Sequence, residues 1–158
     1  VESLLPSSRW ASLQGLAVST GPGGFTGTRL SVVMARTLAQ QLNCPLLGVS
    51  SFALMAARLN RSLAEEHQQQ PFWITQVLPR RGVVAGFYRL HADQVEEISV
   101  PHLLPPGQVV SPSLEAQADP AKDVERLLLE LRFSQARTEV LPWASVLPIY
   151  PTSPVGAV

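Results

Sequence analysis

Ser19-Thr20-Gly21-Pro22-Gly23-Gly24-Phe25-Thr26-Gly27-Thr28-Arg29 sets four glycines and a proline between the apolar run Leu16-Ala17-Val18 and a stretch with helical spacing. A short apolar run closed by such a loop reads as a buried strand. After the loop, Leu30, Met34, Leu38 and Leu42 recur every fourth residue, and Val32, Ala35 and Ala39 fill the neighbouring sector. These positions predict a helix over 28–42 whose apolar arc spans roughly 200°, about twice the stripe of a helix facing one core. Such a helix should be covered on two sides. Asn43 and Pro45 stop it. Leu46-Leu47-Gly48-Val49 reads as a second buried strand, and Ser50-Ser51 caps a helix through Leu59. Strand, loop, helix, strand, helix is the order of a parallel pair with its crossover.

The glycine loop fits neither common nucleotide signature. A Walker loop needs a lysine before its hydroxyl residue, whereas Thr28 directly follows Gly27 and Pro22 stands where the first glycine belongs. In the dinucleotide pattern Gly21 and Gly23 fit, but Thr26 replaces the third glycine, and the residues around Gln41 are neutral where an acid would bind a ribose. Two readings stay open: the bare amides at the helix start hold an anion, or the glycines only let the chain turn and lie close to a neighbour. Turning is preferred, and on that reading Gly23 or Gly27 needs a positive φ or a close backbone contact. Arg29 falls in the first helical turn of this reading, where the helix dipole disfavours a cation, so a carboxylate or carbonyl partner is expected.

Further along, 60–71 is a polar linker, and Phe72 to Leu78 and Val83 to Tyr88 flank a four-residue turn, Pro79-Arg80-Arg81-Gly82, as an antiparallel hairpin. Val95 to Val100 adds a third strand, and most of the proline-rich stretch 101–120 is expected to be irregular. Asp119 and Pro120 open a helix through about Leu131, with Val124, Leu127, Leu128 and Leu131 as its apolar face. Pro148-Ile149-Tyr150 anchors the tail. His67, His91 and His102 lack metal-ligand spacing and read as scattered surface groups, and Cys44 as a buried thiol. Glu65-Glu66 and Glu96-Glu97 read as solvated charges, because neighbours point to different faces. Arg80, Arg81 and Arg89 supply too few charges to hold RNA at physiological salt. Trp10, Trp73 and Trp143 are dispersed and read as core or interface.

Composition narrows the function classes. Twelve basic and twelve acidic residues cancel, and charged residues make up 15% of the 158-residue chain, against roughly 25% in an average domain. A chain without a basic field is a poor nucleic-acid or anionic-membrane binder. The single cysteine excludes an internal disulfide and fits a reducing compartment, and no apolar run approaches the roughly 20 residues that span a bilayer.

The segment "GPGGFTGTRLSVVMARTLA", followed by "CPLLGVSSFALMA", resembles the G-P-G-S-F-T-G-[LV]-R segment and succeeding strand of the TsaB (YeaZ) family. The likeness runs from about Leu13 to Leu59, with weaker matches at Pro79 to Gly82 and Pro148 to Tyr150. It implies an α/β fold of the actin-like ATPase class, made of two ribonuclease-H-like lobes. The first is expected at 1–70, completed by the tail 146–158, and the second at 71–145. It also implies a non-catalytic subunit that supports formation of threonylcarbamoyladenosine in tRNA. The implied partners are a catalytic TsaD-type subunit and an ATPase TsaE-type subunit, with a homodimer alone, tRNA contacted only indirectly, a cytoplasmic location, and no cofactor or metal. Three departures stand out: nothing corresponds to the family's N-terminal β-hairpin, only Arg80 matches its D-A-R strand, and 101–120 is short. Glu2-Ser3-Leu4-Leu5 reads as the end of a helix, so the chain is expected to be truncated at its start.

Two function classes follow. In the first, the protein is a pseudo-enzyme: Gly21, Pro22, Gly23, Gly24, Phe25, Thr26, Gly27 and Arg29 form a structural loop, no residue is catalytic, and Ser31, Val32, Ala35 and Ala39 form a partner interface. Small residues there would let a second helix approach closely. The rival is an enzyme that binds ATP across its two lobes, which requires acidic magnesium ligands.

Overall fold

The computed structural model describes residues 6–92 and 94–151; the expectations for Glu2 to Leu5 and for the tail beyond Pro151 lie outside the described residues. Strands β1 (Leu16–Ser19) and β2 (Leu46–Val49) pair in parallel, from Leu16 opposite Leu46 to Ser19 opposite Val49. Parallel strands need a crossover, and helix α1 (Phe25–Leu42) supplies it. It begins three residues before the position that the apolar spacing indicates. Gly24 is the N-cap and has no side-chain acceptor, and Gly27 lies inside the helix, so neither residue announces the start. Asn43 ends α1 in the left-handed conformation, with φ 48°, a conformation that asparagine tolerates.

Only one side of α1 is covered among the described residues. Val32 and Ala39 are fully buried and meet Val18, Cys44, Leu46 and Val146 in one apolar cluster. Leu30, Val33 and Met34 remain 67%, 52% and 46% exposed. The expectation of cover on both sides is therefore not met within these residues, because the sheet presented to α1 is two strands wide. Burial pushes the Cys44 thiol above its ordinary pKa, which keeps it protonated and unreactive.

A second sheet has the order β5-β4-β3-β6. Strands β3 (Phe72–Leu78), β4 (Gly82–His91) and β5 (Gln94–Leu103) run antiparallel in succession. The hairpin turn is one residue shorter than expected: Gly82 pairs with Leu78 and takes φ 106°, so glycine's freedom brings it into the strand. Within 101–120, expected to be mostly irregular, strand β6 (Ser113–Glu115) forms a short regular element. It pairs in parallel with β3 and turns Leu114 toward the core.

Helix α2 (Ser51–Asn60) presses Phe52, Met55, Ala56 and Leu59 onto Phe72, Ile74, Val84 and Tyr88. Spacings of three and four along α2 place these four side chains on one face. The stretch expected to be a linker is held down as well. Asn60 Nδ2 donates to the Gln68 carbonyl at 3.1 Å, and Gln68 Nε2 donates to the Leu63 carbonyl at 2.9 Å.

Helix α3 (Pro120–Ala136) packs on α2 and on β1. It runs beyond Leu131, and its buried side differs from the expected one: Leu131 and Ser134 are buried, while Val124 and Leu128 are exposed. At its start the Asp119 side chain accepts from the Lys122 amide at 3.3 Å. That amide, then the Lys122 side chain, holds the Asp119 carboxyl below its ordinary pKa. A lowered carboxylate contributes stability above its unfolded pKa and loses it as pH falls through the folded value. Asp119→Ala should therefore lower the melting temperature at neutral pH, and the gap to wild type should close on acidification through that range. A gap that stays constant in thermal melts across the acid range would contradict this role for the cap.

Candidate functional site

The glycine loop is built into three neighbouring segments. The Thr20 amide donates to the Val49 carbonyl at 2.8 Å, and the Thr20 carbonyl accepts from the Ile149 amide at 2.7 Å. The Gly21 carbonyl accepts from the Ser51 amide at 2.7 Å, and the Pro22 carbonyl from Ser51 Oγ at 2.6 Å. The Phe25 ring, at the first turn of α1, meets the Tyr150 ring at 5.1 Å between centroids. The tail anchor expected at Pro148 to Tyr150 thus closes directly over the loop.

Gly21, not Gly23 or Gly27, carries the conformational demand. Gly21 has φ 95°, and a Cβ there would lie 3.2 Å from Thr28 Cγ2 and 3.3 Å from the Ile149 carbonyl oxygen. A Cβ on Gly23 would meet only Thr28 Oγ1, at 3.0 Å, and one on Gly27 nothing within 4 Å. Gly27 is free of such demands because it already belongs to the helix. Arg29 is exposed and has no carboxylate or carbonyl partner among the described residues. With α1 starting at Phe25, Arg29 stands beyond the first turn, where the dipole's influence has fallen off.

Beside the loop lies a cavity of about 450 Å³, bounded by Gly23, Phe25, Thr28, the turn residues Pro79 and Arg81, and Tyr150. The residues with polar side chains in its lining are Thr28, Arg81 and Tyr150. Among the described residues no carboxylate and no lysine lines it.

The residues expected to form a partner interface do not share one exposure. Ser31 is exposed, Ala35 is half-buried, and Val32 and Ala39 face the chain's own core. The outward face of α1 is instead that of Leu30, Val33 and Met34.

Other singled-out groups are dispersed. His91 Nε2 lies 2.9 Å from Glu96 Oε2, which also pairs with Arg89 at 3.5 Å, while His102 Nδ1 lies 2.9 Å from the Val100 carbonyl. Among the described residues no three His, Cys, Asp or Glu side chains gather to hold a metal. Trp73 stacks on Phe87 at 4.5 Å, and Arg36 lies 5.8 Å over the Trp143 ring.

Glu97 departs from the solvated reading. Its Oε1 accepts from Ser50 Oγ at 2.5 Å and from the Tyr88 hydroxyl at 3.0 Å. The alternation Val95, Glu97 on the inner face of β5 is the signal that would have exposed it. Burial first, then the Glu97 charge, raises the Tyr88 phenol above its ordinary pKa.

A parallel pair with its glycine loop and crossover helix, beside a second, mainly antiparallel sheet with its own helix, defines an α/β protein of the actin-like ATPase class, built on the ribonuclease-H-like plan. Residues 3–145 match the family model described as TsaD: tRNA N6-adenosine threonylcarbamoyltransferase. The chain belongs to this family, and its named relatives group it with the TsaB (YeaZ) proteins.

The tRNA threonylcarbamoyladenosine biosynthesis protein TsaB of Bacillus subtilis (strain 168) is 42% identical over 59 residues, 36% of this chain and 26% of that protein. The protein of the same description from Buchnera aphidicola subsp. Schizaphis graminum is 40% identical over 43 residues, 27% of this chain and 20% of that protein. The matched stretches thus span about a quarter and a fifth of these relatives. The solved YeaZ from Pseudomonas aeruginosa superposes with a TM-score of 0.68 at 26% identity, over 89% of this chain and 76% of that one. Another structure, described as an uncharacterized protein with similarity to peptidase YEAZ from the same organism, gives 0.71 at 24% identity, over 96% and 80%.

Two alanine substitutions separate the glycines. Gly21→Ala forces a side chain into a positive-φ position and should cost about 1–3 kcal/mol. Gly27→Ala, inside α1, should gain about 0.5–1 kcal/mol through helix propensity. Urea unfolding of both variants checks this, and equal effects at the two positions would contradict the assignment.

Proposed function

We propose that this protein is a non-catalytic partner subunit in the formation of threonylcarbamoyladenosine in tRNA, and that α1 is where it joins a catalytic TsaD-type subunit. The observation that carries this reading is the outward face of α1: Leu30, Val33 and Met34 are exposed on a helix whose opposite side is buried in the chain's own core. Exposed apolar side chains gathered on one face mark an association surface, and the same face serves a homodimer when the partner is absent. A TsaE-type ATPase completes the assembly. The tRNA is contacted through the partners, consistent with twelve basic against twelve acidic residues. The site of action is the cytoplasm; among the described residues no helix is long and apolar enough to cross a membrane.

The lobes of this reading are 1–70 with the tail, and 71–145. The cluster of Val18, Val32, Leu46 and Val146 supports the first, and the sheet β5-β4-β3-β6 supports the second. Helix α2 bridges them, since its buried residues pack on the second sheet.

The rival reading is an actin-like enzyme that binds ATP on its own, and the transferase description of the family model favours testing it directly. Phosphoryl transfer works by charge stabilisation through metal-bound phosphates and cationic side chains. Among the described residues, the lining of the cavity beside the glycine loop includes one arginine and no acid. The purified protein should therefore show no ATP turnover above the buffer blank. Turnover that disappears in Gly23→Val would establish the enzyme reading instead.

Leu30→Glu and Met34→Glu place a carboxylate on the outward face of α1. Both variants should keep the wild-type circular dichroism while association weakens by about a hundredfold or more, as for an unpaired charge buried at a contact. Ala39→Glu, aimed at the core, should unfold the chain. Sedimentation velocity and pull-down with the catalytic subunit read these outcomes, and normal association of both outward variants would refute this surface.

A further inference from the structure

We infer that Ser50, Tyr88 and Glu97 form a latch that sets the geometry of the glycine loop from strand β5, an edge strand of the second sheet. The bonds run in one continuous series. Glu97 of β5 accepts from Ser50 Oγ and from the Tyr88 hydroxyl, the latter on a fully buried side chain of β4. Ser50 Oγ also accepts from the Ala53 amide at 3.0 Å and so caps α2. The next residue, Ser51, holds the Gly21 carbonyl with its amide and the Pro22 carbonyl with its hydroxyl. Consecutive serines at one helix start therefore face opposite ways, one to β5 and one to the glycine loop.

The chemistry favours a latch over a passive core contact. The Ser50 and Tyr88 hydroxyls both lie within hydrogen-bond distance of one carboxylate oxygen and 3.2 Å from each other, and bonds to the carboxylate are charge-assisted and stronger than neutral ones. Tyr88, kept neutral by burial and by the nearby carboxylate, remains a donor. Glu97 is not wedged in place: with Thr20, Ser50 and Ile149 it borders a cavity of about 330 Å³, which leaves the carboxylate room to swing away. Released, it frees Ser50, and with Ser50 the Ser51 bonds that hold Gly21 in its positive-φ turn. The coupling is reciprocal, so whatever engages the loop also loads Glu97. The latch concerns only the chain's own loop and stands whether or not α1 receives a partner.

Amide hydrogen exchange on the intact protein tests it, with Tyr88→Phe and Glu97→Gln each removing one part of the charge-assisted centre. The Ser51 and Ile149 amides, which donate to Gly21 and Thr20, should exchange about tenfold faster or more in both variants. The Trp73 and Ala116 amides, which bond across the β3–β6 pair, should keep their wild-type rates. Unchanged exchange at Ser51 and Ile149 would overturn the latch, and so would an equal acceleration at Trp73 and Ala116, which signals general loosening. Should Glu97→Gln fail to fold, Tyr88→Phe, which keeps the ring in its pocket, decides alone.

Discussion

The packing of Val32 and Ala39 against Val18, Leu46 and Val146 fixes the rotation of α1, and the other features of the first sheet depend on that rotation. Two apolar side chains seven residues apart lie on one helical face. Once they are buried, Leu30, Val33 and Met34 have no choice but to turn outward. The same packing seats the start of α1 over the end of β1, which leaves Gly21 a turn that only a residue free to take positive φ can make. It also leaves Phe25 facing the tail, where Tyr150 meets it. One buried contact thus decides where the loop, the outward face and the tail lie.

Around that contact the protein keeps the frame of an actin-like fold while the glycine loop has other duties. Its carbonyls are consumed by Ser51 and Ile149, so the loop ties β1, α2 and the tail together. Groups that would work on a phosphate are sparse, with Arg81 the cation that reaches the cavity. The loop thus serves as a structural junction, next to a helix whose outward apolar face is uncovered among the described residues.

Strand, glycine loop, helix and strand are legible in the sequence because each carries a local signal: apolar runs, glycine clusters and the stop at Asn43. The hairpin and the Asp119 cap are legible for the same reason. Other features depend on partners distant in the chain. The start of α1 carries no capping side chain, so Gly27 looks like loop when it is helix. Val32 and Ala39 suit a partner helix as well as they suit the chain's own sheet, and the residues that bury them, Val18, Leu46 and Val146, come together only in the fold. Strand β6 is three residues long and exists because β3 offers an open edge. Glu97 looks solvated beside Glu96, since nothing local reveals that Ser50 and Tyr88, 47 and 9 residues away, converge on it.

The two methionines offer the most direct measure of the outward face of α1. Met34 is 46% exposed on that face, and Met55 is 4% exposed in the second core. Peroxide oxidation followed by mass spectrometry reads both in one sample, with Met55 as the internal reference. Sulfoxide formation at Met34 should be fast in dilute protein and should slow severalfold as the concentration rises or the catalytic subunit is added, while Met55 stays slow throughout. A Met34 rate unaffected by either condition would mean that α1 carries no interface.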